Sequence, residues 1–269
     1  STLMRSSAAS DVYKRQRRVF GFGKSSKPRA AVFVDYEHWF YGYHNNFHMR
    51  PNFEEWIQEL KNEYDIDELH VFGDFSERQI GAELPELQRI TNNNVTHTAS
   101  DKLGVDKDFT DVIILDHIYR SAAKKKSADV YVLFTGDAHF TCVVDYLKEL
   151  NKKVVIYGVK FGFSNALKSA ATSYVEMPRQ IQVKNHYNDL ILASLDKLRR
   201  KPGKTPSYWR TIDSVAKYNR VPEDRVKKAL DGLISQKYIS QTTKTDARGE
   251  KISLLTVDWD KLSQDGIWQ

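Results

Sequence analysis

Through the middle of the chain, short apolar runs alternate with stretches whose apolar residues recur three and four positions apart. Residues 30–36 (AAVFVDY) form a compact run rich in β-formers. Residues 53–64 (FEEWIQELKNEY) then carry Phe53, Trp56, Ile57 and Leu60 at helical spacing. A second strand is expected over 68–75 (ELHVFGDF), a helix after Pro85 within 83–93, and a short strand within 94–100. The alternation continues with a helix over 108–125, a strand over 129–137, a helix over 140–152 and a strand over 153–159. A short helix over 164–172 and a last strand over 173–177 close it. This order predicts an α/β fold with a mostly parallel central sheet and helices on both faces. Roughly 150 residues suffice for one such domain.

Beyond residue 178 the pattern changes. Residues 181–201 read as an amphipathic helix and 202–207 (PGKTPS) as a linker. Two helical patterns, 210–220 and 222–241, are split by Val221 and Pro222, and 242–259 reads as two strands around 246–249. Helix, turn, helix and hairpin suggest a winged-helix-like domain. Arg225, Lys227, Lys228, Lys237, Lys244, Arg248 and Lys251 supply positive charge for phosphates, and a protein-interaction or dimerisation module is the alternative. Tyr208, Trp209 and Tyr238 read as packing residues. At the other end, residues 1–16 have no periodicity and resemble a translated library adapter. The expected organisation is a basic lead-in over 1–29, an α/β domain over 30–178, a connecting helix and linker over 179–204, and the winged-helix-like domain over 205–263.

Of the 269 residues, 41% are hydrophobic and 28% charged, which suits a folded protein and not a disordered one. No apolar run approaches the roughly 18 residues needed to cross a bilayer. The first 29 residues lack the apolar region of a secretory signal. Cys142 is the only cysteine, which excludes an internal disulfide and a cysteine-based zinc site. A cytoplasmic protein is therefore expected. The net charge of +6 is uneven: residues 30–179 sum to −7, between two basic flanks. Basic flanks would meet a polyanion while an acidic middle could hold metal, although surface lysines also serve solubility.

The acids fall at informative positions. Three predicted strands end at Asp35, Asp74 and Asp137. Ligands of open α/β sheets bind beyond the carboxyl ends of strands, where strand order reverses. The strands beginning at Ala30 and Asp129 would be neighbours there, bringing Asp35 and Asp137 side by side. Asp111 shares a helix face with Ile114, Leu115 and Ile118, and Asp108 lies one turn earlier. Asp116 lies about 140° round the helix from Asp111. Clustered carboxylates repel, so a cation is needed to offset them. Hard oxygen ligands without cysteine suit Mg²⁺ or Mn²⁺. Each acid also has an ordinary explanation, Asp35 and Asp74 as helix caps and Asp137 as a turn residue after Gly136. Gly136 is expected to allow a sharp turn, and Phe140 to anchor the following helix.

The segments VFVDYEHW, VFGDFSE, DFTDVIILDHIY and LFTGDAHF, with the chain that follows to residue 171, resemble the NYN domain family. This is the LabA-like branch of the PIN-like nucleases. The resemblance covers roughly residues 30–178 and implies a PIN-like fold and metal-dependent RNA cleavage by a cluster of acids. It implies Asp35, Asp111 and Asp137 as metal ligands and Asp74 and Asp116 as further catalytic acids. Ser164 and Asn165 match a polar pair near the site. The chain departs from the pattern at His38, where asparagine is usual, and at His139, where aspartate is usual. His139 is a poorer ligand for Mg²⁺ than aspartate but acceptable to Mn²⁺, and could instead contact phosphate or move protons.

The expected function is thus a metal-dependent endoribonuclease. Its substrate contacts would come from His38, His139, Ser164, Asn165, Arg225, Lys228, Lys244 and Arg248. RNA is the expected partner, with DNA or protein contact possible at the carboxyl-terminal module and no membrane. The alternative is a catalytically inactive RNA- or protein-binding module of the same fold. A phosphatase-like enzyme is a weaker third reading, since no glycine loop for phosphate is present.

Overall fold

The computed structural model describes residues 27–99, 109–201, 203–245 and 249–268. Six strands build its sheet: β1 (Arg29–Asp35), β2 (Asp65–Gly73), β3 (Val95–His97), β4 (Val130–Phe134), β5 (Lys153–Val159) and β6 (Ser173–Met177). They lie in the order β3-β2-β1-β4-β5-β6, and every pair is parallel. β1 and β4 are buried almost end to end, as a parallel sheet covered on both faces requires. Successive side chains alternate between two cores. Val32, Val34, Val132 and Phe134 face one, and Phe33, Tyr131 and Leu133 the other.

The first core is covered by α1 (Tyr36–Phe47), α2 (Phe53–Glu63), α3 (Arg78–Gly81) and α4 (Leu84–Thr91). The second is covered by α5 (Thr110–Ala122), α6 (Thr141–Glu149) and α7 (Asn165–Ala170). A 3-10 turn, Ala138–Phe140, precedes α6, and Phe140 is fully buried beneath it.

Helix α1 has no counterpart in the sequence reading, which ran the first strand to Tyr36 and left the next segment unassigned. Its buried residues Tyr36, Trp39, Phe40, Tyr43 and Phe47 do recur at helical spacing. Aromatic and asparagine residues are weak helix formers, so packing carries this helix, not propensity. Trp39 lies stacked on Phe134, 3.9 Å between ring centroids. Strand β2 begins earlier than expected, at Asp65, because it pairs with β1 from Arg29 onward.

The remaining chain forms α8 (Gln180–Arg199), α9 (Tyr208–Asn219), α10 (Glu223–Ser235), β7 (Ile239–Thr245), β8 (Lys251–Val257) and α11 (Trp259–Gln264). β7 and β8 form an antiparallel pair. A third core draws on Ile191 and Leu195 of α8, Ile212 and Val215 of α9, Val226 and Leu230 of α10, and Leu255 of β8. The expected helix over 222–241 stops at Ser235, and Ile239 already belongs to β7; Lys237 between them has a φ of 60°. Trp209 is not a packing residue: it is 66% exposed, while Tyr208 beside it is buried. No described helix is long and apolar enough to cross a membrane.

Candidate functional site

From β1 the chain runs outward to β2 and β3, then returns to β4 on the other side of β1. That reversal opens a crevice beyond the carboxyl ends of the two central strands. Val34 pairs with Phe134, so Asp35 and the turn from Thr135 to Asp137 leave the sheet side by side. The first turn of α5 closes the crevice from a third side. A cavity of about 380 Å³ results, with Asp35, Glu37, His38, Asp111 and Asp137 in its lining.

Local hydrogen bonds aim the acids. Asp35 caps α1, its Oδ1 accepting from the His38 N–H at 2.9 Å. Asp137 caps the 3-10 turn, its Oδ1 accepting from the His139 N–H at 2.9 Å. The capping explanation and the site explanation therefore describe the same residues: the cap fixes the carboxylate's direction. Asp111 lies in the first turn of α5, one turn before buried Ile114. The His139 imidazole Nδ1 lies 3.4 Å from Asp111 Oδ2 and 3.3 Å from Asp137 Oδ1.

One face of α1 forms a wall. His38, Tyr41, Gly42 and Asn45 follow the i, i+3, i+4, i+7 spacing and all line the cavity. Burial pushes the Tyr41 hydroxyl up to about 12, helped by its 2.7 Å hydrogen bond to Glu77. Burial also lowers the His38 imidazole to about 4, against the opposing pull of Asp137. His38 Nε2 is buried with no hydrogen-bond partner among the described residues.

Gly136 is required here for space and not for a left-handed backbone, since its φ is not positive. A Cβ there would run into the Gly162 carbonyl oxygen and lie 2.5 Å from His38 Cε1. The glycine thus permits the loop after β4, the loop after β5 and α1 to meet at the cavity.

The other expected site residues fall elsewhere. The Asp74 carboxyl accepts from the Ser76 N–H at 2.9 Å and is held below its usual range by Ser76. It does not line the cavity; its own N–H donates to Glu37 at 3.2 Å and so positions a carboxylate that does. Asp116 points to solvent and pairs with Arg120 at 2.7 Å, because its helix face is turned from the sheet. Ser164 caps α7 through its hydroxyl, and its N–H donates to the Gly136 carbonyl at 2.9 Å. Asn165 is exposed at the start of α7. Arg225 and Lys228 line a second cavity, and Lys244 lies exposed on β7. Asp108 and Arg248 lie outside the described residues. Glu37, Tyr41, Asn45 and Asn46 line the pocket but were not foreseen, and the polar face of α1 was the signal that could have found them.

Asp111, Asp137 and His139 each offer a ligand atom, and all three atoms lie within 4.8 Å of one another. Two carboxylates and an imidazole suit a divalent cation, and the imidazole favours Mn²⁺ over Mg²⁺. Asp35 adds a carboxylate to the same cavity.

Fold and site together define a parallel α/β domain with an acidic pocket where its strand order reverses. The chain belongs to the NYN domain family, which it matches over residues 29–178, and that family lies within the PIN-like nuclease superfamily. Among solved structures it is similar to a protein of unknown function from Vibrio parahaemolyticus, with 20% identity and a TM-score of 0.50. That match covers 58% of this chain and 97% of the other, and it shows a shared fold. A weaker likeness, with a TM-score of 0.25 and 9% identity, is to the Aeropyrum pernix Orc1 protein in complex with DNA; it covers 91% of this chain and 86% of that one. No protein of curated description matches the chain.

Proposed function

We propose that this protein is a metal-dependent ribonuclease that cleaves RNA phosphodiesters at the pocket between β1, β4 and α5. The observation that supports this most is the convergence of Asp111, Asp137 and His139 within 4.8 Å, beside Asp35. These three residues hold the cation, Mn²⁺ in preference to Mg²⁺. A bound divalent ion supplies charge stabilisation at the phosphate and acidifies water. Asp35, held by the His38 N–H, orients the attacking water from the buried side of the pocket. Tyr41 and Asn45 offer polar groups to the sugar–phosphate chain. The order of α9, α10, β7 and β8 supports a winged-helix-like reading of the carboxyl-terminal unit, whose basic residues hold RNA.

A second reading, an RNA- or protein-binding module without chemistry, draws on His139, whose ring lies between the two carboxylates where a cation would lie. The two readings separate in one assay. End-labelled RNAs, single-stranded and structured, are incubated with the protein in Mn²⁺, in Mg²⁺ and in EDTA. Cleavage in metal and none in EDTA is the expected result. Binding of the same RNAs with no cleavage in either metal would establish the second reading instead.

A further inference from the structure

The acidic pocket shares its walls with a second cavity of about 680 Å³. Val159 and Gly162 line the first, and Lys160 and Phe161, the residues between them, line the second. The end of α1 divides in the same way, with Asn46 in the first and Phe47 in the second. The far wall comes from the carboxyl-terminal unit, with Lys184 and Tyr187 of α8 and Arg225 and Lys228 of α10. The Tyr187 hydroxyl donates to the Phe47 carbonyl at 3.2 Å and ties the two walls together.

The chemistry of this groove is opposite to that of the pocket. Lys160, Lys184, Arg225 and Lys228 contribute four cations, and no acid lines it among the described residues. Lys160, Lys184 and Lys228 form no ion pair among those residues, and Arg225 has only a 4.0 Å contact with exposed Asp224. Phe161 lies at the junction, 74% exposed, with a φ of 76°. A bulky side chain in left-handed backbone is a strained outlier, and such strain persists where it serves a site. Its ring stacks on Phe47, centroids 5.9 Å apart with planes 22° from parallel, the Lys160 ammonium lies 5.8 Å from its centroid, and the residue remains largely in solvent. Cations beside an exposed aromatic ring are what single-stranded nucleic acid requires: backbone charge is met, and a base that displaces the Lys160 ammonium finds a ring on which to stack.

We infer that this groove is the track of a single-stranded RNA, with a base stacked on Phe161 and its phosphates on Lys160, Lys184, Arg225 and Lys228, and that the strand passes from there into the acidic pocket. The inference rests on the ribonuclease reading for its direction, because the groove shares a wall with the pocket that Asp111 and Asp137 line. A duplex does not fit this chemistry, since its bases are stacked on each other and cannot engage Phe161.

The test is binding, separated from cleavage. Fluorescence anisotropy of a labelled single strand of about 12 nucleotides, within the usual site sizes for such grooves, is measured in EDTA. The full chain is compared with Phe161→Gly, Phe161→Trp and Lys160→Glu/Lys228→Glu. Glycine accepts the backbone angle of residue 161 without strain, so that variant should melt no lower than the parent. The expected result is about tenfold weaker binding for Phe161→Gly and parental affinity for Phe161→Trp. The double charge variant should bind weakly, with a salt slope shallower by about 1.4, from two lost contacts at about 0.7 each. A duplex of the same length should bind less tightly than the single strand. Parental affinity in both Phe161→Gly and the double variant, or equal affinity for duplex, would overturn the inference. Cleavage in Mn²⁺ is scored separately. Groove-dependent binding without cleavage would leave the groove standing and remove the ribonuclease reading, whereas metal-dependent cleavage with groove-independent binding would do the reverse.

Discussion

Asp35 and Asp137 each spend a carboxylate oxygen on a nearby backbone N–H, and this governs what substitutions do. Asparagine keeps the accepting oxygen and removes the charge, so Asp137→Asn should fold like the parent. Mn²⁺ at a hundred times its dissociation constant should stabilise the parent by about 2.7 kcal/mol. Asp111→Asn and Asp137→Asn should lose most of that stabilisation, read as the shift of the thermal midpoint with added metal. An equal shift in all three proteins would remove the proposed ligands. Gly136→Ala tests the close approach beneath the pocket. Its methyl group would lie 2.5 Å from His38 Cε1 and run into backbone, so a loss of about 1–3 kcal/mol is expected in urea unfolding. His38 sets a pH dependence. Its folded pKa of about 4 lies below the ordinary 6.5, so the unfolded chain binds the extra proton across that window. Stability from this group is complete above 6.5 and is lost as pH falls toward 4. In EDTA, the parent should lose about 2–3 kcal/mol more than His38→Asn between pH 7 and pH 4.5. Parallel losses would show that His38 is not held neutral by burial.

At the scale of elements, strands and the helices that cover them were legible where one periodicity ruled. The runs at 30–35 and 130–134 are buried on both faces, and their continuous apolar character announced a covered parallel sheet. Helix α5 was legible because Ile114 and Ile118 mark one face, and that face brings Asp111 to the strand ends. Helix α1 was not legible at that level. Tyr36 was read into the strand and the residues after it were left unassigned, and the loss was functional as well as structural, because its polar face supplies Glu37, Tyr41 and Asn45 to the pocket. Asp74, drawn in by its strand end and by motif, and Asp116, drawn in by motif, lie off the cavity for local reasons: one is bound by its own turn, the other faces outward. Asp116→Asn should therefore change stability by no more than about 0.5 kcal/mol, the value of an exposed i,i+4 pair. It should also cleave RNA at the parental rate in a Mn²⁺ time course. A large loss of cleavage would return Asp116 to the site. The basic groove could not be read from sequence either, since its walls join α1, the loop after β5, α8 and α10, which are far apart in the chain.

Over the whole molecule, charge is divided by segment. The α/β domain is net acidic at −7 over residues 30–179, and the segment from residue 180 onward is net positive at +6. Acids gathered at one pocket repel phosphate until a cation offsets them, while the basic wall attracts it throughout. RNA affinity should therefore fall steeply with salt even in EDTA, and cleavage should need metal at every salt concentration. The most direct measurement is the cleavage rate of a labelled single-stranded RNA in Mn²⁺ by the parent and by Asp137→Asn, with melting curves run on both. The expected result is cleavage by the parent and a loss of at least about 100-fold in the variant, on the scale of removing a group that stabilises transition-state charge, with both proteins equally folded. Equal rates in two folded proteins would contradict catalysis at the strand-end acids.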